Sequence, residues 1–154
     1  MTGVLTAGAQ DYKNSFNFGV GVMYGIGGSI SYDYKLLKWN EHSALTVGGY
    51  AGIQRGDGYA WEGSNEHLNF DSKGLIAPRV GYAYSFNRHF ELYAALMPGL
   101  LINDKYEKYG KSVEYEFFTG ITGGGRIQLY KNLYFFMEMG YNLLCYNAGI
   151  SVKF

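Results

Sequence analysis

Apolar and polar residues alternate one by one through most of this chain. The pattern is cleanest at positions 147–154, where Ala148, Ile150, Val152 and Phe154 share one face and Gly149, Ser151 and Lys153 the other. The apolar spacing reaches back to Tyr146. Period two is the strand period, because successive side chains leave a sheet on opposite faces.

The same alternation recurs upstream and predicts eight strands. The first runs from Ser15 to Tyr24, with Phe16, Phe18, Val20 and Val22 on one face. A turn at Gly25 to Gly28 leads to a second strand, where Ile30, Tyr32, Tyr34 and Leu36 oppose Ser29, Ser31, Asp33 and Lys35. The third covers Leu45 to Gln54, and an irregular stretch follows from Arg55 to Asp71. The fourth spans Ile76 to Tyr84 and the fifth Phe90 to Leu100. Pro98 cannot donate a ladder bond, so a bulge is expected there. Asn103 to Ser112 reads as a charged loop. The sixth strand, Val113 to Tyr130, turns at Lys131-Asn132 into the seventh, Leu133 to Asn142. A turn at Leu143 to Tyr146 precedes the eighth. Short turns follow strands two, four and six, and the long loops follow three and five. That asymmetry predicts an all-β fold: an eight-stranded antiparallel up-and-down transmembrane β-barrel with both ends on its periplasmic side.

Composition narrows the classes. A chain of 154 residues is one domain by length. No apolar run approaches the ~20 residues of a membrane helix, which excludes a helical membrane protein and leaves a barrel open. The 23 Gly and 16 Tyr suit closely packed strands with aromatic belts. Zero formal net charge removes the electrostatic case for nucleic acid. The single cysteine, Cys145, excludes an intramolecular disulfide and a cysteine metal cluster, and no cofactor is expected. Residues 1–9 read as the tail of a secretory signal, with Ala7 and Ala9 in small-x-small spacing. The barrel is then residues 10–154.

The placement of charge decides which face meets water. Asp33, Lys35, Arg79, Glu91, Arg126, Glu138 and Lys153 all fall opposite the apolar stripe. A soluble, lipocalin-like barrel would expose that face and carry far more Lys and Glu on it. A barrel in lipid would turn it inward, where eight strands leave room only for side chains. These seven residues are therefore expected to form a closed polar network rather than a pore. Arg126 and Glu138, on neighbouring strands, are the expected pair, since lone buried charges are costly. Aromatic residues gather near both ends of the strands, as two interfacial girdles would.

Four segments carry a family resemblance: Ala77-Pro78-Arg79-Val80-Gly81-Tyr82, Phe90-Glu91-Leu92-Tyr93-Ala94, Met137-Glu138-Met139-Gly140-Tyr141, and Gly149 to Phe154. The chain resembles small outer-membrane barrels of the OmpA/OmpX type, in the versions common in Bacteroidetes. The resemblance implies an outer-membrane location, contact with outer-membrane lipid and passage through the barrel-assembly machinery. Tyr146, Ala148, Ile150, Val152 and Phe154 resemble the C-terminal β-signal read by that machinery. These motifs specify a barrel and no activity.

The expected role is a non-enzymatic scaffold presenting extracellular loops, in the manner of an accessory subunit with a protein partner in the outer membrane. Arg55, Tyr59 and Trp61 are the candidate binding residues, since such loops carry function. One alternative is a lipid-A-modifying enzyme using Ser64, Glu66 and His67. A triad needs spatial convergence, though, and adjacent polar residues are ordinary in a hydrated loop.

Overall fold

The computed structural model describes residues 12–23, 25–57, 70–107 and 110–154. Eight strands follow one another: β1 (Asn14–Val22), β2 (Ile26–Lys38), β3 (Ser43–Asp57), β4 (Phe70–Ser85), β5 (Phe90–Glu107), β6 (Gly110–Tyr130), β7 (Leu133–Tyr141) and β8 (Tyr146–Lys153). Each pairs antiparallel with the next, and β1 pairs with β8 to close the barrel. The closing ladder runs unbroken from Ser15↔Lys153 to Val22↔Tyr146.

The alternation has become inside and outside. Large apolar residues face out on every strand, among them Val20, Ile30, Ile53, Ile76, Leu96, Ile121, Met137 and Ile150. Asp33, Arg79, Glu91, Arg126, Glu138 and Lys153 face in and are buried, with small polar residues such as Ser29, Ser31 and Thr122 beside them. This inverts a water-soluble barrel. Glycine lets the wall close tightly at one inward position in particular: a Cβ on Gly48 would collide with the Tyr32 carbonyl oxygen of β2.

Several boundaries differ from the sequence expectation, each for a physical reason. The glycines expected to turn after β1 instead extend the ladder, with Gly21↔Gly27 and Val20↔Gly28 in register. The charged segment expected as a loop from Asn103 continues as a hairpin, paired from Asn103↔Glu114 to Glu107↔Gly110. Polar residues at both faces suit strands that rise beyond the apolar belt into water. β3 and β4 likewise extend to Asp57↔Phe70. The last turn begins at Asn142, whose Oδ1 accepts from the Leu144 amide at 2.6 Å, and it folds Leu143 and Leu144 inward.

Pro98 produces no bulge; the register shifts lie elsewhere, at Lys35/Leu37 and Gln128/Tyr130. Instead the β4–β5 ladder lapses between Ile76↔Leu100 and Val80↔Leu96 without changing register. That register sets Pro78 opposite Pro98. The Phe86 amide donates to Phe90 across this seam at 3.1 Å, so even-numbered β4 residues point their backbone groups at β5. Pro78 and Pro98 thus meet at a hydrogen-bonded position where neither has an N–H to give. Two carbonyls lose their donors midway up the wall.

In hydrocarbon an unmatched backbone group costs several kcal/mol. Proline returns only about 0.4–1 kcal/mol by restricting the unfolded chain. Pro98→Val, which supplies an N–H toward the Pro78 carbonyl, is therefore expected to raise stability against urea in lipid vesicles. A lower midpoint would show that the gap is satisfied in some other way.

Candidate functional site

The lumen is built in two tiers. Toward the last turn it is apolar: Tyr50, Leu75, Ala77, Met97 and Leu143 pack together, with Leu101 and Phe118 against them. Leu144 is fully buried beside Gly21 and Gly27. Toward the short turns it is charged.

The charged tier is a chain of alternating sign along the barrel. Lys153 Nζ donates to Glu91 Oε2 at 2.9 Å, and Lys35 Nζ stands 3.7 Å from the same oxygen. Glu91 Oε1 accepts from Arg126 Nη1 at 2.8 Å. Arg126 Nη2 donates to Asp33 Oδ2 at 2.8 Å, and Asp33 Oδ1 lies 3.0 Å from Arg79 Nε. Arg79 Nη2 then donates to Glu138 Oε1 at 2.6 Å. Each residue arrives there by facing inward on its own strand, so the links join β2, β4, β5, β6, β7 and β8. All seven residues expected in the polar interior meet in this chain, and only Lys35, at 20% side-chain exposure, reaches toward solvent.

The expected partnership of Arg126 with Glu138 is replaced. Arg126 takes Glu91 and Asp33, and Glu138 takes Arg79. By register Arg126 stands opposite Phe136 and Glu138 opposite Gly124, so the two are diagonal neighbours. Tyr93 engages both: the Arg126 guanidinium sits 4.0 Å from its ring centroid, and its hydroxyl donates to Glu138 Oε1 at 2.9 Å. Gly124 makes that possible, since a Cβ there would stand 2.8 Å from the Tyr93 ring.

Neutral side chains complete the set. Asn17 Nδ2 donates to Ser31 Oγ at 2.8 Å and to Asp33 at 3.3 Å. Asn147 Nδ2 donates to Ser29 Oγ at 2.9 Å and to Glu138 Oε2 at 3.2 Å. Lys153 also lies over the Tyr134 ring, 4.4 Å from its centroid. Sequence reasoning missed Asn17, Tyr93 and Asn147 as members. Their signal was available, because each shares inward parity with a charged residue on its own or an adjacent strand. The apolar tier gave less signal, since Leu75 and Met97 fall on the face that carries charge elsewhere.

A crevice opens at the short-turn end among Lys13, Lys35, Glu91, Arg126 and Lys153, with a volume of about 10 Å³. That is space for about one water. The lumen is thus filled by ion pairs below and by aliphatic packing above. Among the described residues, its carboxylates Asp33, Glu91 and Glu138 are each held by at least two donors.

The remaining predicted residues lie apart. Arg55 is exposed near the loop end of β3. Tyr59, Trp61, Ser64, Glu66 and His67 lie outside the described residues. The other histidines, His42 and His89, sit in the short turns at the opposite end, where His42 Nδ1 is 2.9 Å from the Ser85 carbonyl. Tyr146 and Ile150 face outward on β8, with Ala148 and Val152 half-buried on the same face. Phe154 is exposed, and its amide donates to the Asn14 carbonyl at 3.0 Å.

Removing one member of a buried pair typically costs ~3–5 kcal/mol, because the other charge stays buried alone. Arg79→Met and Glu138→Leu should each lose about that much in detergent unfolding. Their double variant should lose far less than the sum. Arg126→Met combined with Glu138→Leu should come closer to additivity. Additive losses for Arg79 with Glu138 would contradict the geometry.

No family model matches the chain, and no curated protein matches it. Solved structures do. Ail, the attachment invasion locus protein of Yersinia pestis, in complex with the heparin analogue sucrose octasulfate, aligns with a TM-score of 0.55 at 14% identity, over 91% of this chain and 92% of its own. A second structure of Ail aligns with a TM-score of 0.55 at 13% identity, over 91% of each chain. The Bacteroidetes-like character expected from the motifs finds no support in these neighbours. At such identity the likeness bears on architecture alone: this chain has the eight-stranded transmembrane β-barrel fold that Ail has.

Proposed function

We propose that this protein is an integral outer-membrane barrel that works without catalysis, as a rigid scaffold holding the β3–β4 and β5–β6 connections at the cell surface. The observation that carries this reading is the inverted barrel: an apolar belt outside and a lumen packed solid inside. Among the described residues, ion pairs and aliphatic side chains occupy the lumen, so what the barrel can present lies at its rim. The β5–β6 hairpin supports the reading, because its ladder continues to Glu107↔Gly110 while β6 meets β7 only from Ile121↔Tyr141. One side of the rim therefore stands higher than the other.

Within this reading the partners are outer-membrane lipid, the assembly machinery during biogenesis, and a protein engaged at the rim as in an accessory-subunit role. Arg55, Tyr59 and Trp61 remain the residues proposed for loop contact. Tyr146, Ala148, Ile150, Val152 and Phe154 are proposed as the assembly signal. Deleting Phe154 is expected to lower outer-membrane levels in a Gram-negative host while leaving detergent refolding nearly unchanged, as quantitative blotting of membrane fractions would measure.

The reading as a whole is tested by solubility and topology. The purified chain should fold only in detergent or lipid, migrating as a distinct band when unheated. An epitope tag inserted between Gly58 and Asn69 should be reached by antibody on intact cells. A folded monomer in plain buffer would overturn the membrane assignment, and a tag reached only after lysis would overturn the surface role.

A further inference from the structure

The zero net charge hides an uneven distribution along the barrel axis. At the short-turn end, the described charged residues outside the lumen are Lys13, Lys38, Arg88 and Lys131 against Glu41. At the loop end, among the residues whose side chains are described, Asp104, Glu114 and Glu116 stand against Arg55 and Lys73. Among the described residues the excess of basic charge lies at the short-turn end.

The four basic residues are not scattered. Three of them lie within two residues of an exposed aromatic residue, and all four occupy different junctions around the ring. Lys38 precedes Trp39 at the β2–β3 turn, and Trp39 packs on Tyr82 with centroids 5.7 Å apart. Arg88 follows Phe86 at the β4–β5 turn, where Phe86 meets Tyr84 at 4.9 Å and Phe90 at 5.6 Å. Lys131 follows Tyr130 at the β6–β7 turn, its Nζ 5.3 Å from the ring centroid. Lys13 adjoins Asn14, whose amide donates to the Phe154 carbonyl at 2.9 Å at the β8–β1 closure. These four junctions account for every strand at that end. Exposed rings sit at the headgroup level of a bilayer, and a cation one or two residues beyond them reaches the phosphates.

We propose that this ring of basic–aromatic pairs binds anionic phospholipid headgroups of the leaflet at the short-turn end. The inference rests on the membrane reading above and adds the chemistry of the lipid. Acidic headgroups complement the excess cation there. The rings anchor the depth, and the four-fold placement matches a surrounding lipid annulus better than a single docked molecule. A Lys or Arg close to an anionic surface changes the preference by about five-fold, an effect that falls off within a Debye length.

The test uses the whole protein in nanodiscs of phosphatidylcholine mixed with phosphatidylglycerol, counting the lipids retained on mild extraction by mass spectrometry. Phosphatidylglycerol should be enriched around the wild type, and salt should weaken the enrichment. Combining Lys13→Gln, Lys38→Gln, Arg88→Gln and Lys131→Asn should abolish it; Asn is chosen at 131 because that residue has a φ of 39°. Lys73→Gln, at the other end, should leave it unchanged. All variants are exposed and are checked for the folded band before counting. Failure of the wild type to enter nanodiscs would defeat the membrane reading itself. Entry without phosphatidylglycerol enrichment, or equal loss in the loop-end variant, would overturn this inference alone. So would binding of a soluble acidic polymer to the ring with no lipid preference.

Discussion

A polypeptide in hydrocarbon must satisfy its backbone hydrogen bonds within its own wall. For strands this means a sheet with no edge, and the pairing of β1 with β8 supplies the closure. Most other features follow from it. The outer face must be apolar, so residues alternate. The inner face lies at the centre of a ring only eight strands wide, so it must be filled by side chains. The Pro78–Pro98 meeting is the local exception. It marks the place in the described wall where sequence withholds the donors that closure requires.

Filling the interior with charge is costly unless each ion is matched, since desolvation can exceed the attraction regained. The alternating order Lys153, Glu91, Arg126, Asp33, Arg79, Glu138 meets that condition by sharing: Glu91 serves Lys35, Lys153 and Arg126, and Asp33 serves both arginines. Because the links join six strands, the network also fixes how the strands sit around the axis. The apolar tier of Tyr50, Leu75, Met97 and Leu143 seals the other end by ordinary packing. Two different physical devices thus close one lumen.

Much of this was legible in sequence because period two is a local signal. The facing of Arg79, Glu91 and Lys153 could be read from their immediate neighbours. Partner choice could not, because it depends on register and on what fills the space between. Arg126 and Glu138 lie on adjacent strands but are offset diagonally, and Tyr93 from a third strand engages both. The turn glycines misled for a related reason. Gly27 and Gly28 carry the composition of a turn, yet their lack of side chains serves close strand packing. The opposed prolines needed the β4–β5 register before either could be understood.

The axial arrangement connects structure to role. Among the described residues, the wall is cross-linked from within by ion pairs and carries unequal strands at its rim. That account stands or falls on the lumen being solid in a bilayer. Single-channel recording of the purified protein in planar membranes measures this directly. The account expects no steady conductance at moderate voltage, and brief openings at most when the Arg79–Glu138 link is removed. A stable ohmic current through the wild-type barrel would contradict it, because ions would then be crossing the space that the paired charges and the leucines are held to fill.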